Sequence, residues 1–303
     1  MNKKKRKYDE VIRKDHFHSG HLLCPGCPGA IALRYITMTL GKNTMVSSGA
    51  TCLNLPISFY PRAIDIPSIF ISMPSTAAGM TGISLALKVL KRKGRLGFSE
   101  KITVFGIAGD GGAGDIGFAA LSGAAERNDD GIFFCFDNEA YMMTGAQRSS
   151  LTPKYAWTAS TVKGKSQGKK DLPLILADHG IPYVATVSVA YPDDFVRKIV
   201  RARDMGEGFK YIHMMCPCPT GWKFPESKTV EISRLAVETG SWILYEIVDG
   251  HKELTYRPKT RKPVRQYVEK QGRFSHLSEE DLANLQKEID REWKKYEFSS
   301  HTA

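Results

Sequence analysis

Two groups of residues in this sequence are suited to chemistry: hard oxygen ligands set among glycines, and clustered cysteines. Gly109-Asp110-Gly111-Gly112 follows the apolar run 102–108, and Asp137-Asn138 closes the next apolar run, 132–136. Open parallel sheets bind ligands outside the carboxyl ends of their strands. Glycines beside Asp110 let the backbone approach a phosphate, and a following helix offers free N–H groups and a positive dipole end. A carboxylate, an amide oxygen and a backbone carbonyl are ligands that Mg²⁺ accepts, with phosphate oxygens and water completing the shell. The chemistry implied is a diphosphate held through magnesium. A bare Gly-Asp-Gly also makes a tight turn. What separates the two readings is the order strand, Gly-Asp-Gly, helix, strand, Asp-Asn, which one mononucleotide-type βαβ unit requires.

The chain has six cysteines. Cys24 and Cys27 form a C-x-x-C pair, Cys52 follows, and Cys216-Pro217-Cys218 lies far downstream. Cys135, inside Phe133-Phe134-Cys135-Phe136, reads as a small core residue. Four thiolates hold a cubane cluster or close tetrahedrally on zinc, and spacing alone leaves both open. A disulfide is a poor account in a reducing cytosol, and the C-x-x-C pair does not open a helix after a strand as a thioredoxin-type pair does.

These residues need elements to position them. The chain's 303 residues, 42% hydrophobic and 25% charged, can bury a sizeable core. That composition excludes wholesale disorder, collagen-like repeats and a disulfide-stapled miniprotein. No apolar run approaches the roughly 18 residues of a membrane span. Basic residues 1–14 lack the apolar segment of a secretory signal, so a soluble, cytoplasmic chain is expected. The net charge of +11 comes from 43 Lys+Arg against 32 Asp+Glu. The excess gathers in the run 3–7 and over 257–273, which favours solvated or subunit-contact arms over a nucleic-acid arm.

Short apolar runs alternate with helical patterns, as βαβ units and a mostly parallel sheet require. The pattern predicts helices over 30–40, 80–90, 116–127 (capped by Asp115), 193–203 and 278–296. Strands are expected over 102–108, 132–136, 183–189, 211–215 and 242–248, with a further short apolar run at 69–73. The polar stretch 149–173 reads as a long functional loop. A core domain over 1–250 would carry the oxygen ligands and cysteines, followed by a C-terminal extension over 251–303.

Gly109-Asp110-Gly111 followed by Asp137-Asn138 resembles the thiamine-diphosphate fingerprint. Longer strings resemble the β subunit of 2-oxoacid:ferredoxin oxidoreductases. They are Gly-Asp-Gly-Gly-Ala-Gly-Asp-Ile-Gly at 109–117, Asn138-Glu139-Ala140-Tyr141-Met142, Thr144-Gly145-Ala146-Gln147-Arg148-Ser149 and Thr152-Pro153. The resemblance runs from about residue 20 to 277. It implies a thiamine-diphosphate-binding α/β fold, a mostly parallel sheet with helices on both faces, plus a C-terminal arm. It also implies thiamine diphosphate held through Mg²⁺, with Asp110, Asn138 and the Ala140 carbonyl as ligands. Gly109, Gly111, Tyr141, Thr144, Gly145 and Cys52 would stand around the cofactor. The segments 20–27, Ala50-Thr51-Cys52 and Cys218-Pro219-Thr220-Gly221-Trp222 resemble cluster-bearing segments. They imply a [4Fe–4S] cluster on Cys24, Cys27, Cys52 and Cys218. Cys216 competes for the fourth place, but Cys218 carries the matching string.

The implied reaction is oxidative decarboxylation of a 2-oxo acid, pyruvate or a bulkier or aryl one, to acyl-CoA and CO₂. Coenzyme A is the co-substrate, and ferredoxin or a related acceptor takes the electrons. Decarboxylation leaves two electrons on the cofactor while a cluster accepts one at a time, which accounts for both groups in one chain. In this family the glutamate that activates the pyrimidine ring belongs to an α subunit, and no matching segment occurs here. The two-cluster ferredoxin cysteine pattern is also missing, which leaves it to γ/δ-type or ferredoxin-like subunits. The chain therefore reads as half an active site, inactive alone. Five residues after Asn138, beside the reacting carbon, the family often has Asn where this chain has Met143. Either the position is a permissive core one, or the pocket suits a larger, more apolar 2-oxo acid. His21 and His213 read as packing or hydrogen-bonding residues rather than ligands, and Arg148 as facing substrate or pairing on the surface. Two other classes compete: a cluster-free thiamine-diphosphate enzyme of the acetolactate-synthase type, and a zinc-stabilised nucleic-acid-binding module. The second leaves Asp110 and Asn138 without a purpose.

Overall fold

A computed structural model describes residues 15–97 and 101–297, so the basic run 3–7 lies outside the described residues. Among those residues one sheet has eight strands: β1 (Thr44–Ser48), β2 (Ser68–Phe70), β3 (Thr103–Gly109), β4 (Gly131–Asp137), β5 (Tyr183–Ser188), β6 (Phe209–Met215), β7 (Tyr245–Val248) and β8 (His251–Leu254). The order across the sheet is β2-β1-β3-β4-β6-β5-β7-β8. Strands β1 to β6 pair in parallel, and β7 and β8 extend the sheet antiparallel. The mostly parallel α/β architecture is the one the alternating pattern implies.

Strand β4 explains why the sheet must be covered twice. Its sequence, Gly-Ile-Phe-Phe-Cys-Phe-Asp, is buried at every position, as a central parallel strand flanked by helices on both faces requires. Phe134 and Phe136 face a core shared with Leu33 and Ile36 of α1 (Pro28–Leu40). Phe133 and Cys135 point the other way, onto Met80 of α2 (Thr76–Arg92) and Leu121 of α3 (Phe118–Glu126). Helix α4 (Pro192–Asp204) joins the α1 face through Phe195 and Ile199. A third cluster gathers Trp222, Ile232 and Leu235 of α5 (Thr229–Thr239), and Tyr267 and Phe274 of the C-terminal segment. Helix α6 (Glu279–Glu297) closes this side, its start fixed by reciprocal Ser278 and Asp281 hydrogen bonds.

Several expectations need correction. Strand β1 lacks an apolar run because two of its five residues, Ser47 and Ser48, are buried serines, and the Ser47 hydroxyl donates to Thr76 O at 3.0 Å. The run 69–73 is strand only at Ser68–Phe70, then turns 3₁₀ at Met73–Ser75. Asp115 does not cap a helix. Gly112–Ile116 winds as a π-helical turn, a form common at functional sites, and α3 begins after Gly117. The Asp115 carboxylate instead accepts from Ser150 N at 3.0 Å and from the Tyr141 hydroxyl at 3.2 Å. The polar stretch after β4 is a long connection ending at a short helix, Leu172–Ala177, and the Lys165 ammonium ties it together through the carbonyls of Ser150, Thr152 and Gly168. Among the described residues no helix is long and apolar enough to cross a membrane.

Candidate cofactor site

Four neighbouring strands, β1-β3-β4-β6, end at one edge of the sheet. Beyond those ends come Cys52 after β1, Asp110 after β3, Asn138 after β4, and Cys216 and Cys218 after β6. The chain reverses its progress across the sheet between β1 and β3, the switch point where parallel sheets open a binding crevice. Cys24 and Cys27 arrive from the turn ahead of α1, where Cys27 N donates to Cys24 O at 3.1 Å. The Thr229 hydroxyl pins that turn to the start of α5 by donating to Gly26 O at 2.6 Å.

The oxygens expected to bind Mg²⁺ lie close together. The Asn138 amide oxygen lies 2.7 Å from the Ala140 carbonyl oxygen and 3.0 Å from Asp110 Oδ1. Its Nδ2 faces Cys52 Sγ at 4.0 Å. Turning the amide over would make both oxygen contacts hydrogen bonds. As it stands, the amide oxygen faces two other acceptors. Octahedral Mg²⁺ with bonds of about 2.0–2.1 Å puts neighbouring ligand oxygens about 2.9 Å apart, so the set fits that ion. Among the described residues, no group of three His, Cys, Asp or Glu side chains is arranged to hold a metal ion. The oxygen set draws instead on an amide and a backbone carbonyl. Asp110 is buried and accepts from the Ser149 hydroxyl. Burial, and then the neighbouring Asp137, push its carboxyl well above the usual range, which a cation would reverse.

The turn that carries these oxygens is backed by charge. Glu139, between the two ligands, adopts a left-handed φ of 66°, a conformation that costs an L-residue about 1–2 kcal/mol. Asp137 is fully buried, yet Lys169 Nζ at 2.7 Å and His213 Nε2 at 2.8 Å outweigh that burial and hold its carboxyl below the ordinary range. His213 is thus a buried hydrogen-bonding residue, and His21 stacks on Phe17.

Gly111 is required by Tyr141. A Cβ there would stand 2.3 Å from the tyrosine ring, whose hydroxyl donates to Gly111 O at 3.2 Å. Beyond it, a tight hairpin pairs Tyr141 with Gln147 and bends at Gly145, φ 116°, while the Thr144 hydroxyl donates to Gln147 Oε1 at 2.6 Å. Gly109 closes β3 beside Asp110. Met143 is 57% exposed on this chain. The Arg148 backbone N–H donates to Ser160 Oγ at 2.8 Å.

All six cysteines are free thiols. Burial pushes Cys27 and Cys52 up to about 12, and each is raised further by Cys24 and Cys218. Cys218 is raised by burial and by Cys24. Cys27, Cys52 and Cys218 thus lie near one another and near Cys24, but among the described residues they do not stand as a ready-made metal site. Cys216 lies fully buried beneath them, its N–H bonded to Asp137 O at 2.9 Å, and Cys135 is buried in the core of the opposite face. A cavity of about 420 Å³ lies elsewhere, bordered by Glu139, Lys169, His213, Trp242, Tyr267 and Tyr296. The thiols and the oxygen set stand outside its lining, on the sheet edge.

A fold with a diphosphate-type site at its switch point defines a class. Residues 26–214 match the family described as thiamine pyrophosphate enzyme, C-terminal TPP binding domain. The chain is 46% identical over 288 residues to pyruvate synthase subunit PorB of Methanocaldococcus jannaschii, covering 93% of this chain and 96% of that protein. It is 41% identical over 293 residues to ketoisovalerate oxidoreductase subunit VorB of Pyrococcus furiosus, covering 93% and 92%. The chain belongs to the thiamine-diphosphate-binding β subunits of 2-oxoacid:ferredoxin oxidoreductases, and it is an enzyme subunit of a hetero-oligomer. Among solved structures, 2-oxoglutarate:ferredoxin oxidoreductase from Magnetococcus marinus shares the fold, with a TM-score of 0.57 and 19% identity over 73% of this chain and 79% of that one.

Proposed function

We propose that this chain binds thiamine diphosphate through Mg²⁺ held by Asp110, Asn138 and the Ala140 carbonyl. Beside it, Cys24, Cys27, Cys52 and Cys218 carry a [4Fe–4S] cluster. The observation that supports this most strongly is the row of four adjacent strand ends, which sets the Asn138 amide oxygen within about 3 Å of both Asp110 and the Ala140 carbonyl and brings Cys52 Sγ to 4.0 Å from the same amide. When bound, thiamine diphosphate supplies the nucleophilic carbon for decarboxylation and the cluster takes electrons singly. The protein's part is positional. Asp110 and Asn138 orient the diphosphate, Gly111 admits Tyr141 over the loop, and Asn138 Nδ2 reaches toward Cys52, linking the two cofactor positions. Cys218 is preferred to Cys216 as fourth ligand because Cys216 is fully buried, whereas Cys218, like Cys27 and Cys52, is only partly so.

The substrate is a 2-oxo acid, pyruvate or a bulkier one, with coenzyme A taking the acyl group and ferredoxin or a related acceptor the electrons, in the cytoplasm. Met143, exposed beside the site segment, favours an apolar 2-oxo acid side chain. An α subunit supplies the pyrimidine-activating glutamate, and ferredoxin-like γ/δ subunits carry electrons onward. Exposed Leu22, Ile116, Met143 and Val162 lie in the segments flanking the site and suit burial by such a partner. Anaerobic purification of the complex with iron, sulfide and thiamine analysis, then turnover on pyruvate, branched-chain, aryl and indole 2-oxo acids, tests the reading. Bound thiamine with about four irons beyond those of the ferredoxin-like subunits supports it; zinc in their place, or no thiamine, refutes it.

A further inference from the structure

We infer that Glu139, Lys169 and Arg273 are positioning residues that set the geometry of the magnesium turn, which makes the C-terminal segment a working part of the cofactor site. The inference rests on the reading of Asp110, Asn138 and Ala140 as the magnesium ligands. Glu139 lies between two of them, hydrogen-bonded through its N–H, carbonyl and Oε1 and ion-paired through Oε2. Its N–H donates to Asp137 Oδ1 at 3.0 Å, and its carbonyl accepts from the Thr152 hydroxyl at 2.6 Å. Its carboxylate pairs with Lys169 Nζ through Oε1 and with Arg273 Nη1 through Oε2, each at 2.7 Å.

Those partners come from three parts of the chain: the end of β4, the long connection and the C-terminal segment. Glu139 and Arg273 are both nine-tenths or more buried, so neither charge is satisfied by water. Arg273 also stacks on Trp222 at 3.5 Å, and the Trp222 indole N–H donates to Asn138 O at 2.8 Å. One guanidinium therefore reaches both the ligand Asn138, through Trp222, and the residue that follows it. With Glu139 left-handed, the Asn138 amide oxygen stands 2.7 Å from the Ala140 carbonyl oxygen and 3.0 Å from Asp110 Oδ1. A bare left-handed turn would favour glycine; here side-chain pairing replaces glycine's freedom with a fixed geometry.

Mg²⁺ demands near-ideal octahedral geometry at short distance, whereas Ca²⁺ accepts longer and looser sets. A loosened turn should therefore lose magnesium preferentially, which a general loss of stability would not do. The test uses the intact hetero-oligomer stripped of cofactor, with thiamine diphosphate titrated by calorimetry in Mg²⁺ and separately in Ca²⁺. In Glu139→Gln, and in Glu139→Gly, which relieves the backbone strain, affinity in Mg²⁺ should fall by about tenfold or more, in the range typical of groups that orient metal ligands. Affinity in Ca²⁺ should fall several-fold less, and Arg273→Lys should lie between wild type and Arg273→Met. Lys210→Met, which breaks the remote pair with Asp130, should lower Tm without changing the metal ratio. Unchanged affinity in the Glu139 variants, or equal losses for both metals in step with Tm, would overturn the inference. Wild-type complex that takes up no Mg²⁺–thiamine diphosphate would instead overturn the magnesium assignment beneath it.

Discussion

Asp110 and Gly111 do different work a single bond apart. Asp110 offers a buried carboxylate whose charge is unfavourable until a cation arrives. Asp110→Ala should therefore weaken thiamine diphosphate binding by about 100-fold or more, read by calorimetry, with a Tm near wild type in the absence of cofactor. Gly111 offers space. Gly111→Ala would drive a Cβ into the Tyr141 ring and should lower cofactor affinity by displacing Tyr141, while Tyr141→Leu in the same background restores part of the loss. Both positions were legible in the sequence because Gly-Asp-Gly and Asp-Asn are local strings at the ends of apolar runs. Glu139, Lys169 and Arg273 were not. Their contacts join residues 30 and 134 apart in the chain, and buried pairing over such distances leaves no periodic mark.

Among the elements, apolar run length governed what could be read. Strand β4, with Phe133, Phe134 and Phe136, announces itself, and its burial on both faces leaves it little tolerance for substitution. Phe134→Ala should cost about 3–5 kcal/mol in denaturant unfolding of the complex, the range for a fully buried phenylalanine. Strand β1 escaped notice because its buried serines satisfy themselves by hydrogen bonds to the backbone. Asp115 looked like a helix cap because it precedes an apolar period; the π-helical turn gives its carboxylate to the loop at Ser150 instead.

For the molecule as a whole, the chain brings Asp110, Asn138 and four of its cysteines to the carboxyl ends of adjacent parallel strands and the turn beside them. The C-terminal segment, read from its charge as an outer arm, also plugs the back of the site through Arg273 and Phe274. Expressed alone, this chain should bind Mg²⁺–thiamine diphosphate weakly and release no measurable CO₂ from 2-oxo acids, with activity appearing when the other subunits are added. Full-rate decarboxylation by the isolated chain would contradict the half-site account.

The most direct test of the central claim, two cofactors side by side in one chain, is the electron paramagnetic resonance spectrum of the anaerobically purified, dithionite-reduced complex carrying Cys218→Ser. The account predicts that the signal of the proximal [4Fe–4S] cluster is lost or replaced while bound thiamine diphosphate is retained, and that Cys216→Ser leaves the signal in place. An unchanged spectrum in Cys218→Ser, or a signal that depends on Cys216 instead, would contradict it.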